Sequence, residues 1–271
     1  MRKSIVRILA ILTLIPVLLF SGCVKKKDKE SGDQSLNKVT KKGELVLGLD
    51  ASFPPMGFKD ENDKIVGFDI DVAREVCSRM NIKLKTQPIN WDSKEQELDA
   101  GNIDCIWNGM SYSDERAKKM TLSNPYMNNS MVLVVRKDSG YKSQAELKGK
   151  KIAVQNGSTA QEILDASDFK KTVKESIPLK DNTSAFVELD MRTVDAVFLD
   201  VVVADYFINA NHKDYVVLPD GLEEEQYVIG FRKGENALKD KIEATLIEMK
   251  NDGKLAEISN KWFGKDVTTV K

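Results

Sequence analysis

The stretch that decides the fold is Gly101–Met120, GNIDCIWNGMSYSDERAKKM. Gly101 follows Ser93–Ala100, a short helical run, and a glycine there is the expected helix terminator. Ile103–Trp107 is an apolar run of strand length, bounded by polar residues, so it reads as a buried strand. The strand is expected to end at Trp107, where Asn108, Gly109 and Ser111 take over. Ser113 is then a helix N-cap, and Asp114 and Glu115 suit the positive end of the helix dipole. Helix, strand and helix in this order imply a parallel sheet with helices on its faces.

The alternation continues on both sides. Leu45–Leu49 reads as a strand. Ile70, Ala73, Val76, Cys77 and Met80 follow helical spacing over Asp69–Met80, and Ile82, Leu84 and Thr86 alternate as in a strand. A second unit begins near Met131, with strands MVLVVRK and KIAVQ, the loop and helix NGSTAQEILDA, a helix through Phe186–Asp190, the strand VDAVFLD and the helix VVVADYF. The polar stretch LPDGLEEEQ precedes the strand YVIGFRK, and helices over Ala237–Asp252 and Lys254–Phe263 close the chain. Two α/β units joined by extended segments imply two lobes with a cleft between them. In open α/β sheets ligands bind beyond the carboxyl ends of the strands, so the residues that follow each strand are the ones to read.

The 271 residues are 41% hydrophobic, enough for one large core or two modest ones. A net charge of −1 argues against a nucleic-acid partner, which normally demands a basic excess. Arg2, Lys3 and Arg7 precede the apolar run Ile8–Phe20, the pattern of a signal peptide over residues 1–22. Leu19-Phe20-Ser21-Gly22-Cys23 resembles a bacterial lipobox, with Phe20 where leucine is usual. Cys23 is therefore the expected lipidation site, anchoring an exported protein to the membrane bilayer. Residues 23–40, polar and without apolar periodicity, are expected to be a flexible tether. Cys77 and Cys105 lie in apolar runs and read as buried free thiols. His212 is the only histidine, so a histidine-based catalytic pair or a metal site would depend on one loop residue.

Candidate binding groups stand at the strand ends. After the first strand comes DASFPPMGF, whose prolines stiffen the loop and hold Asp50 and Phe53. Phe53 can stack on a ligand side chain or belong to the core; Asp50 can meet a polar or cationic tip or cap a turn. Trp91 is a pocket wall or a core plug. Arg116 either pairs with Asp114 and Glu115 on the surface or aims a bidentate guanidinium at a carboxylate. Ser158-Thr159-Ala160-Gln161 fits the capping box, and the helix start it caps is an anion site. Asp200 ends a buried apolar strand, where an acid is costly unless a cation or hydrogen-bond donors meet it. Together these suit a free α-amino acid: Arg116 and the helix amides on its carboxylate, Asp200 on its ammonium, Phe53 and Trp91 beside its side chain.

The stretches LGLDASFPPMGF, IVGFDIDVAREV, WDSKEQELDAGNIDCIWNGMSYSDER, LKGKKIAVQNGSTAQE, VDAVFLDVVVAD and YVIGFRKG, in this order and spacing, resemble the bacterial family 3 extracellular solute-binding proteins, the binding proteins of polar amino-acid ABC importers. The resemblance covers about Lys42 to Phe263. It implies the type II periplasmic-binding-protein fold: two α/β lobes joined by two extended hinges, with the ligand in the inter-lobe cleft. Lobe 1 is expected over residues 41–130 and 227–271, lobe 2 over 131–226. The resemblance also implies ligand contacts at Phe53 and Trp91, backbone and hydroxyl contacts at Asn108, Gly109 and Ser111, carboxylate contacts at Arg116, Ser158 and Thr159, an ammonium contact at Asp200 and a side-chain contact at Asp50. The expected function is capture of a polar L-amino acid (glutamine, cystine or a basic one) and delivery to an ABC permease, by a monomer that needs no cofactor and performs no chemistry. The alternative is a dehydratase-like cleft enzyme on the same frame.

Overall fold

A computed structural model of the chain describes residues 32–210, 214–220 and 223–271. The expected signal peptide, Cys23 and His212 lie outside the described residues. Lobe 1 opens with α1 (Ser35–Lys42), β1 (Glu44–Leu49), a small sheet of β2 (Ser52–Phe53), β3 (Gly57–Lys59) and β4 (Ile65–Val66), then α2 (Phe68–Arg79) and β5 (Lys83–Pro88). It continues through α3 (Lys94–Asp99), β6 (Cys105–Ser111), α4 (Asp114–Lys119) and β7 (Met120–Leu122). The first hinge strand is β8 (Met127–Arg136). Lobe 2 follows with β9 (Lys151–Gln155), α5 (Thr159–Ala166), β10 (Glu175–Leu179), α6 (Asn182–Asp190), β11 (Ala196–Asp200), α7 (Val201–Ala210) and β12 (Tyr215–Val217). The second hinge strand, β13 (Glu223–Arg232), returns to α8 (Asn236–Asn251) and α9 (Lys254–Phe263).

One twisted sheet runs through the molecule in the order β10-β9-β11-β8-β13-β6-β1-β5. The strands at each end, β5-β1-β6 and β10-β9-β11, pair in parallel, while the two hinge strands pair antiparallel with each other and with their neighbours. The parallel sheet expected from the alternation is therefore two parallel blocks around an antiparallel centre. β8 and β13 pair over Met127–Met131 and Glu223–Tyr227. Beyond that pairing each strand enters a different lobe, β8 joining β11 and β13 joining β6. This is the two-hinge connection, and it places Asp200, which pairs with Met131, beside the crossover.

Two expectations are corrected. Residues 23–40 are not all tether, because Ser35–Lys42 is a helix with Ser35 and Val39 buried. The reason lies in α8, whose own N-cap residue, Glu235, makes no side-chain cap hydrogen bond. Asp33 Oδ2 accepts from Ala237 N at 2.5 Å and Ser35 Oγ from Leu238 N at 3.0 Å, so the polar start of the chain caps a helix some 200 residues away in sequence. The strand containing Trp107 does not stop there. β6 continues through Ser111 with every residue buried. Its pairing with β13 is irregular between Ile106 and Met110, and Gly109 sits at φ +57° within that bulge, a conformation that favours glycine. The bulge lets polar residues turn toward the cleft without ending the strand. Cys77 and Cys105 are buried and free, as their apolar surroundings predict.

Candidate functional site

The site is assembled where β1, β6, β9 and β11 end. Eight of the sequence candidates, Phe53, Trp91, Gly109, Ser111, Arg116, Ser158, Thr159 and Asp200, line one narrow cavity between the lobes, together with Met131 and Gln155. The bulge in β6 builds one wall. The Gly109 N–H, left out of the ladder, donates to Asp69 Oδ2 at 2.7 Å, and the Phe53 ring packs so closely over Gly109 that a Cβ there would lie 2.7 Å from it. Phe53 and Gly109 thus fix each other, and Ser111, two residues on, faces the cavity.

Arg116 is 2% exposed, which removes the surface-pair reading. Ser113 does cap α4, its hydroxyl accepting from Arg116 N, but the guanidinium turns inward and crosses to lobe 2. Nη1 donates to Ser111 O at 2.7 Å and to Thr159 Oγ1. Nη2 meets Glu162 Oε1 of α5 at 3.3 Å, and the buried Nε has no partner. On the lobe 2 side, Ser158 caps α5 by accepting from Gln161 N at 3.1 Å. The partner carboxamide, Gln161 Oε1, accepts from Gly157 N at 2.8 Å, one residue earlier than the usual capping box. A guanidinium and a capped helix start therefore meet at one end of β9, and both are groups that attract an anion.

Asp200 lines the same cavity, accepting from Asn129 Nδ2 and Tyr227 OH, each at 2.7 Å. Burial pushes its carboxyl up to about 6 against these hydrogen bonds. Asp50 and Asn108 are placed differently from the other candidates. The carboxamide oxygen of Asn108 accepts from Asp50 N at 3.0 Å, so Asn108 ties β6 to the end of β1 and does not line the cavity. Asp50 accepts from its own loop at Ser52 N, the turn-capping role, and from Gln155 Nε2 of lobe 2 at 2.7 Å. It reaches the cavity only through Gln155, and burial raises its carboxyl to about 6.

Two residues that sequence reasoning missed help close the lobes. Lys94 is 4% exposed. Its ammonium donates to Trp91 O at 3.2 Å and across the cleft to Gly157 O at 2.9 Å, and burial, with Arg116 nearby, lowers its pKa to about 8. Gln155 bridges to Asp50 as described. A charged residue in the exposed-looking run DSKEQE gave no sign of burial, and a glutamine ending an apolar strand reads equally well as a solvent-facing strand terminus. The lobes approach so closely here that a Cβ on Gly157, itself at φ +68°, would lie 2.8 Å from Asp92 Cα.

Two α/β lobes on paired hinge strands, with a charged cavity at the crossover, are the frame of a type II periplasmic binding protein. The sequence profile of the bacterial extracellular solute-binding proteins, family 3, matches residues 45–265, and the chain belongs to that family. It is 29% identical to the L-cystine-binding protein TcyJ of Escherichia coli over 96% of both chains. It is 32% identical to ABC transporter arginine-binding protein 1 of Escherichia coli over 81% of this chain and 90% of that one. A Streptococcus pneumoniae ABC uptake transporter substrate-binding protein with bound histidine superposes with a TM-score of 0.85 at 39% identity, covering 88% of this chain and 99% of that one. Membership of an extracellular family places the protein outside the cytoplasm.

Proposed function

We propose that the protein captures a free polar L-amino acid and delivers it to the membrane subunits of an ABC importer, acting as a monomer held to the membrane by a lipidated Cys23. The observation that carries this reading is that one cavity gathers an arginine, a capped helix start and a buried aspartate. Arg116 bonds Thr159 at the capped start of α5. Asp200 lines the same cavity, and among the described residues no lysine or arginine makes an ion pair with it. An α-amino acid supplies the cation that Asp200 lacks and a carboxylate for Arg116 beyond the half-exposed Glu162, and leaving a buried charge unpaired costs several kcal/mol. The candidate ligands are glutamine, cystine or a basic amino acid: Asp50 suits a cationic tip, while the Gln155 amide in front of it suits a neutral polar one. The relatives named for cystine and arginine span the same range.

Binding across both lobes couples affinity to closure, and the closed form is the one a transporter would recognise. The contacts from Lys94 to Gly157 and from Arg116 to Thr159 exist only while the lobes are together. A thermal-shift screen against all proteinogenic amino acids and cystine tests the reading. A stabilising shift for at least one polar amino acid is expected; no shift for any of them sinks it. The dehydratase-like reading draws on the raised carboxyl of Asp200, which could serve as a general acid. Proton NMR of the amino acids that shift the protein separates the two, because a receptor returns them unchanged and an enzyme does not.

A further inference from the structure

Glu225 lies one residue before Gln226-Tyr227 on the second hinge strand, in a run of three glutamates that the sequence presents as solvated. Its neighbours Glu223 and Glu224 are exposed, but Glu225 turns in. Its Oε2 accepts from Ser111 Oγ at 2.6 Å, and Ser111 lines the amino-acid cavity. Across the hinge it pairs with Asn129, whose carboxamide nitrogen bonds Asp200. Ser111, Glu225, Asn129 and Asp200 therefore form one chain of polar groups along a wall of the site. Asn129 Oδ1 is buried and has no partner.

The charges around Glu225 do not balance. Asp200 on β11 and Glu225 on β13 face each other across Asn129 on β8. Tyr227 OH donates to Asp200, and Glu162 of α5 and Glu225 border the same cavity of about 850 Å³ beside the hinge. The cation that acts on both carboxyls, Arg116 on α4, is engaged by Ser111 O, Thr159 and Glu162. Among the described residues, neither Asp200 nor Glu225 makes an ion pair. Burial, with the Asp200 charge adding to it, pushes the Glu225 carboxyl up to about 7. Two neighbouring carboxyls with no cation between them hold a proton more tightly than either would alone.

We propose that Glu225 is a second carboxyl of the ammonium site: with Asp200 it retains a proton in the empty cleft, and an arriving α-ammonium displaces that proton to solvent. The inference rests on the amino-acid reading of the cleft. The proton balance is simple. The ligand enters as its ammonium ion, no covalent bond changes, and one carboxyl proton leaves through the hinge-side cavity that Glu225 borders. Because binding releases one proton, affinity falls at acid pH by about tenfold per pH unit below the midpoint of the pair.

The test has a part that needs no ligand. Carboxyl-carbon NMR titration of the empty full-length protein is expected to show Glu225 and Asp200 titrating well above the ordinary carboxylate range. Glu225→Gln is expected to lower the Asp200 midpoint, because its like-charged neighbour is gone. If Glu225 titrates in the ordinary range, or the Asp200 midpoint does not move, the proposal is overturned whether or not the cleft binds amino acids. The second part titrates L-arginine, L-glutamine and L-cystine into wild type and Glu225→Gln between pH 5 and 8. Any that bind should weaken toward acid pH in wild type and lose much of that slope in the variant. A variant that weakens binding equally at every pH would make Glu225 a structural bracket for Ser111 and contradict the inference. If none of the three binds, the amino-acid reading is in question, and the first part still decides on the shared proton.

Discussion

Asp69 and Asp200 are a pair of buried aspartates with opposite duties. Asp69 is 0% exposed and Asp200 5% exposed. Each accepts a tyrosine hydroxyl, from Tyr126 and Tyr227 respectively, and those two rings pack with centroids 6.3 Å apart. Burial raises both carboxyls, to about 7 and about 6. Yet Asp69 accepts the stranded N–H of Gly109 and so holds the bulge of β6 in place, while Asp200 lines the cavity. A perturbed carboxyl is thus no mark of function by itself. What separates the two is what they face: Asp69 faces the backbone of β6, and Asp200 faces a cavity that an arginine and a helix start also line.

The comparison can be broken most forcefully on the cleft side. Arg116→Ala should lower affinity for a bound L-amino acid by about 2–5 kcal/mol, the scale for truncating a buried charge partner. Calorimetric titration measures it, and retained affinity would remove the carboxylate clamp from the account. Asp69→Ala comes next. It leaves the Gly109 amide and the Tyr126 hydroxyl without an acceptor, and stability should fall by about 3 kcal/mol, since each buried unsatisfied group costs roughly 1–3. Asp200→Ala should lower stability by less than about 1 kcal/mol, because cleft water can replace its bonds. Equal losses for the two variants in urea unfolding would erase the distinction between them.

A smaller effect separates the pair by pH. The Asp69 carboxyl titrates near 3.8 in a free chain and about 7 when folded. The folded state therefore binds the proton more tightly, and the stability it contributes is present below the unfolded value and lost as pH rises through the folded one. The slope is at most about 1.4 kcal/mol per pH unit. Asp69→Asn should flatten unfolding free energy against pH in that window, and an unchanged slope would reassign the proton uptake to the cleft carboxyls. The least effect belongs to Glu162→Gln. Glu162 is 46% exposed where it meets Arg116, so screening limits its loss to under about 1 kcal/mol of affinity.

Much of this frame was legible in the sequence. Helical spacing located α2 within a residue at each end, Gly101 followed α3, and Ser113 and Ser158 cap their helices as their positions predict. The failures share a cause: they turn on contacts distant in sequence. Residues 35–40 read as tether because their apolar content is slight, and the α8 amides that Asp33 and Ser35 cap explain the helix. β6 appeared to stop at Trp107 because polar residues usually mark a strand end; here Asp69 and Gly109 carry the strand through them. Arg116 could be read either way until Thr159 and Glu162 came into reach. That the Asn108 carboxamide ties β6 to Asp50 likewise depends on a residue far away in sequence. Lys94 and Glu225 stayed hidden because polar side chains in a polar run show nothing of which one faces inward, and Gln155 because a glutamine ending a strand reads as solvent-facing.

The measurement that tests the central claim most directly is a calorimetric comparison of one amino acid with its own charge-deleted forms. The amino acid that stabilises the protein most in the screen would be titrated alongside its methyl ester, which lacks the carboxylate, and its N-acetyl derivative, which lacks the ammonium. Each derivative is expected to lose at least about 2 kcal/mol, because each removes one of the two charges that Arg116 and Asp200 are placed to meet. Binding of either derivative as tightly as the parent would contradict a cleft built to hold both ends of a free amino acid.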